Sequence, residues 1–162
     1  MRHTRLLLAL FLTLLAACDR GSTGPSDGRF GSFQGRWDGD PWHGLSYAVM
    51  DGDTLQIVGH RPDPKVYYDE FVVARIRFTG PGVYPVSGRA GHLSKLVGGD
   101  AGYFHDAGGT VIISGHDARE RTVTGSVSLV ADRADPDWRV DGTFSAPVYL
   151  DYRDVPRVRP FP

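Results

Sequence analysis

The chain of 162 residues contains a single cysteine, Cys18, so no disulfide can form within it. Lysine, glutamate and glutamine occur only twice each, and after Leu15 there are six leucines against 16 valines. Straight-chain residues normally fill exposed helix positions, so their scarcity beside a β-branched excess excludes a helical bundle. Positive charge is not in surplus either: 18 basic and 19 acidic side chains give a formal net charge of -1. A phosphate-neutralising surface needs such a surplus, and nucleic acid is excluded as a partner. The longest apolar run, residues 6–15, is interrupted by Thr13 and falls short of the about 20 residues that cross a bilayer. The length holds one ordinary domain and rules out two enzymatic ones.

What the chain does contain is turn and strand material. Seventeen of the acidic residues are Asp, 16 of the basic residues are Arg, and there are 21 Gly. Asp and Gly favour turns, where a short polar side chain or a positive φ is tolerated. Between residues 33 and 150, short apolar runs alternate with such turns. Asp38-Gly39-Asp40-Pro41 and Asp51-Gly52-Asp53 are hairpin signals. Val72, Ala74, Ile76 and Phe78 fall on one face of a strand, with Arg75 and Arg77 on the other. Val123, Gly125, Val127 and Leu129 alternate with Thr and Ser, and Trp138, Val140, Gly142 and Phe144 share a face of the last strand. Ala90, Leu93, Leu96 and Val97 are at helical spacing and predict one short helix over residues 88–97. The expected fold is all-β, an antiparallel β-sandwich of about eight strands or a barrel-like closure of them, with at most that one helix.

The N-terminus is of another kind. Arg2 and Arg5 precede the ten-residue apolar run, which has the length of a secretory signal's central region. Leu15-Ala16-Ala17-Cys18 then resembles the lipobox of bacterial lipoproteins. That resemblance implies removal of residues 1–17 and acylation of Cys18, which becomes the new N-terminus. Acyl chains bind a bilayer with about 0.8 kcal/mol per buried methylene, so several of them anchor stably. Loss of Arg2 and Arg5 leaves 16 basic against 19 acidic side chains, a net of -3. Residues 18–32, rich in Gly, Ser and Pro, are expected to form a tether, residues 33–150 the folded domain, and residues 151–162, with three Pro and three Arg, a tail.

Trp37-Asp38-Gly39-Asp40-Pro41-Trp42, Gly82-Val83-Tyr84-Pro85-Val86, Val123-Thr124-Gly125-Ser126-Val127 and Val140-Asp141-Gly142-Thr143-Phe144 resemble, in order and spacing, a group of small bacterial envelope lipoproteins. The resemblance spans most of residues 30–148 and implies an exported, lipid-anchored β-domain. It assigns neither an activity nor catalytic residues.

Candidate chemistry is sparse. His43, His105, His116 and Asp117 are the candidate metal ligands, but no pair has the i, i+4 spacing of a helical site. Asp38/Asp40 and Asp51/Asp53 suit a hard cation by type, yet neither pair continues into a calcium loop. No Gly-x-Ser-x-Gly elbow or Ser-x-x-Lys is present. Asp69 and Glu70 are adjacent on a strand and should point to opposite faces, so they do not form an acid–base pair. Among the aromatics, Tyr67, Tyr68 and Trp42 are the candidate ligand-binding residues, since a flat apolar face with a polar handle stacks on sugar rings; core packing is the competing expectation for Trp42. No cofactor is expected.

These features lead to an expectation of a lipid-anchored protein of the bacterial cell envelope, on the inner or outer membrane. Its domain would be a non-catalytic module for a glycan or an envelope protein. A small hydrolase or metal-dependent enzyme built from loop Asp and His is the alternative, and a purely structural envelope component the third.

Overall fold

The computed structural model describes residues 30–62, 68–97, 101–132 and 138–156. Among the described residues there are nine strands: β1 (Gly31–Trp37), β2 (Asp40–Asp51), β3 (Thr54–Pro62), β4 (Tyr68–Arg77), β5 (Gly82–Val86), β6 (Gly91–Val97), β7 (Ala101–Asp117), β8 (Thr122–Ala131) and β9 (Arg139–Tyr149). Eight of them form a closed antiparallel barrel, and β5 lies outside the closed set. Chain neighbours pair with one another, and β9 returns to β1 from Ser32↔Ser145 to Trp37↔Val140. This closure selects the barrel over the open sandwich. Among the described residues it also leaves no long free edge on which another strand could add. One edge of β7 serves two partners end to end: β6 pairs with it over 101–106 and β5 over 109–113.

The turns follow their residues. Asp38 and Gly39 both have positive φ, 53° and 89°, and connect β1 to β2 as a two-residue turn of the mirror-image kind that suits the strand twist. Between β2 and β3 the central residues are Gly52 and Asp53, one position later than the Asp-Gly pair suggests, and only Gly52 takes positive φ.

Two boundaries differ from expectation. The expected helix over 88–97 is a single 3-10 turn at Gly88–Ala90 followed by strand β6. Leu93 faces the core, while Ser94 on the opposite face is also buried. A strand covered on both faces loses its period of two, and its apolar residues then fall by chance at helical intervals. Gly31 and Ser32, expected in the tether 18–32, already pair in β1, and Phe30 packs edge-on against Tyr47, so the folded part begins before residue 33. Residues 1–29, including Cys18, and 157–162 lie outside the described residues.

The barrel interior is filled by side chains. Phe33, Leu55, Ile57, Val72, Leu93, Val111, Val127, Leu129 and Phe144 are all buried in one cluster. Gly142 faces the Phe33 ring so closely that a Cβ there would collide with it, which lets the large ring occupy the axis. At one end of the barrel this apolar filling gives way to charged and aromatic residues.

Candidate ligand-binding site at the barrel mouth

The mouth lies where β1 ends and β2 begins, at the ends of β3, β6 and β8 and the starts of β4, β7 and β9. Strand register builds it. Arg61 on β3 stands opposite Glu70 on β4, Glu70 opposite Lys95 on β6, and Lys95 opposite Tyr103 on β7. Four consecutive strands thus contribute one inward row of plus, minus, plus and aromatic, an alternation of charge in which each cross-strand pair is favourable.

Glu70 is the hub of this row and only 7% exposed. Its Oε2 accepts from Trp42 Nε1 at 2.7 Å and lies 2.6 Å from an Arg61 terminal nitrogen, while Oε1 lies 3.4 Å from Lys95 Nζ. A buried carboxylate is tolerated only when its lone pairs are met in this way. Lys95 Nζ also sits over two rings, 5.0 Å from the Trp37 centroid and 5.1 Å from that of Trp138, within cation–π range. Trp37 contacts Trp42 at 6.0 Å and Trp138 at 5.7 Å. Trp138 in turn meets His105 at 4.8 Å and Tyr103 at 6.4 Å, both edge-on. From inside outward the aromatics become more open: Trp42 is fully buried, Trp37 is 3% exposed, Trp138 and His105 are half-buried, and Tyr103 is 64% exposed.

The sequence candidates disperse. Trp42 is in the mouth, but as a buried donor to Glu70 beneath the other rings, edge-on to Phe33, so its face is not an exposed stacking platform. Tyr67 and the side chain of Tyr68 lie outside the described residues. His43 is exposed on the outer face of β2. His105 lines the mouth against Trp138. His116 is exposed at the opposite end, edge-on to Phe78. Asp117 accepts from the backbone N–H groups of Arg119 and Glu120 and so shapes the β7–β8 turn. The three histidines do not converge, and among the described residues no group of three His, Cys, Asp or Glu is placed to hold a metal ion. Asp69 and Glu70 do part company: Asp69 lies beside His60 on the outside, Glu70 points inward.

Arg61, Glu70 and Lys95 were not among the sequence candidates, although a signal for two of them exists. The chain has two Glu and two Lys, and one of each falls on the core-facing phase of its strand, Glu70 in step with Val72 and Lys95 in step with Leu93. A rare charge on an apolar phase is a better pointer than an exposed aromatic.

An open groove of about 520 Å³ lies on the outer face of β7, β8, β9 and β1, lined by Thr110, Ser126, Ser128 and Asp141 among others. Its one carboxylate is already engaged: Asp141 accepts from Ser128 Oγ and Arg139 Nε, and the guanidinium and then the hydroxyl hold its carboxyl below the usual range. The mouth is the better candidate.

Fold and mouth together define a class: a small, side-chain-filled, up-and-down antiparallel barrel that gathers aromatic and charged residues at one end. No family model matches the chain, and no curated protein or solved structure matches it.

Proposed function

We propose that the protein is lipid-anchored in the bacterial cell envelope and that its barrel binds a ligand at the mouth without transforming it. The observation that carries the binding reading is the convergence of Trp37, Trp42 and Trp138 around the Arg61–Glu70–Lys95 row. Apolar rings with a few converging polar groups are the usual composition of a recognition site. The hydrolase alternative would need a free carboxylate, whereas Glu70 is held by three donors. The anchoring reading rests on the order of charge, apolar run, small pair and Cys18 in the sequence.

All three tryptophans of the chain are in the mouth, so its intrinsic emission reports this site. Titration with a pool of soluble envelope glycan fragments is expected to change that emission saturably. Trp138→Ala should lose the response, and the fragments should be recovered unaltered. Cleaved fragments would instead establish the hydrolase. Cells given a labelled fatty acid should tag the wild type, and label persisting in Cys18→Ala would defeat the anchor.

A further inference from the structure

We infer that the mouth recognises an oxyanion, a carboxylate or phosphate, carried on a ring with an apolar face. The inference rests on the mouth being a binding site and specifies what it takes. The balance of donors and acceptors is one-sided. Both oxygens of Glu70 are occupied, Oε2 by Trp42 and Arg61 and Oε1 by Lys95. On the donor side, among the described residues Trp37 Nε1 and Arg61 Nε are buried without a hydrogen-bond partner, and Lys95 Nζ, with three N–H groups, has one carboxylate contact there. Arg61, Lys95 and Glu70 together leave the row one unit positive. Unmet donors with surplus positive charge call for an acceptor-rich, negative group, and burial makes each unmet donor costly until one arrives.

The aromatics specify the rest of the ligand. Trp138, His105 and Tyr103 form the outer part of the mouth, with Tyr103 largely open. A ring lying against them would put its charged substituent towards Lys95 and Arg61. The opposite polarity fits less well. The space between the Trp37 and Trp138 rings that would suit an ammonium group is already filled by Lys95 Nζ, and a cationic ligand would have to expel it. The same oxyanion-on-a-ring chemistry is offered by a soluble acidic saccharide and by a ring-bearing phospholipid headgroup.

The test is intrinsic emission of the full chain titrated with glucuronate, glucose 6-phosphate, glucose and glucosamine, and with phosphatidylcholine vesicles with and without phosphatidylinositol. The two anionic sugars are expected to bind at least about tenfold more tightly than glucose, and Lys95→Met, with its urea midpoint checked, should abolish that preference. Response to the phosphatidylinositol vesicles alone would keep the chemistry and assign the source to lipid. Equal binding of glucose and glucuronate, or preference for glucosamine, would overturn the oxyanion while leaving the mouth a binding site. Silence across the panel with a retained response to the glycan pool overturns the oxyanion alone. Silence to both overturns the site as well.

Discussion

Among the described residues two titratable side chains, Glu70 and His60, are buried, and their surroundings meet them differently. Glu70 collects Trp42, Arg61 and Lys95 around its two oxygens. His60, on the outer face of β3, is 5% exposed and stacked on Phe71 with centroids 4.3 Å apart. Burial pushes its pKa below 6.5. Asp69, 3.4 Å from Nε2, pulls the other way without outweighing it. The unfolded chain therefore takes up this proton near 6.5, and the folded protein only at lower pH. Between the two values the unfolded state binds more protons, so the stability associated with a neutral His60 is intact above 6.5 and declines as pH falls below it. The urea midpoint of the wild type is expected to drop more steeply than that of His60→Gln between about pH 7 and about pH 5. Parallel curves would show that His60 titrates alike in both states.

At the scale of the strand, alternation carries the fold. In β8, Val127 is buried against Val111 of β7, while Ser126 and Ser128 face outward. Val127→Asp would put a carboxylate in the core with no donor nearby and should cost roughly 3–5 kcal/mol, whereas Ser126→Asp should stay within about 0.5 kcal/mol. Denaturant midpoints of the two variants measure the difference, and similar losses would place the register one residue off. This period of two was legible in the sequence for β4, β8 and β9, because each has one apolar and one polar face. It was illegible in β6, where Leu93 and Ser94 are both buried. Closure was illegible too, since alternation reports which face is covered and not that β1 will meet β9. The mouth was least legible of all. Arg61, Glu70, Lys95 and Tyr103 share a row only through the registers of three strand pairings, and nothing local to any one of them announces the other three.

In the whole molecule, the described chain enters β1 at the end away from the mouth. The strand begins at Gly31 and reaches the mouth six residues later at Trp37. At about 3.3 Å per residue, the chain enters the barrel roughly 20 Å from the tryptophan cluster. Twelve residues lie between Cys18 and Gly31, an extended reach of at most about 45 Å. With Cys18 acylated as proposed, the barrel would be attached by the end away from its mouth, an attachment that favours a mouth turned to the exported side even though the reach of the intervening chain is longer than β1. Because the three tryptophans are the only ones in the chain, bilayer contact can be read directly. In vesicles carrying the acylated full-length protein, brominated lipids should leave the tryptophan emission nearly unchanged. Strong quenching would mean that the mouth lies against the membrane and takes its ligand from it, and phosphatidylinositol should then be the arm of the binding panel that responds.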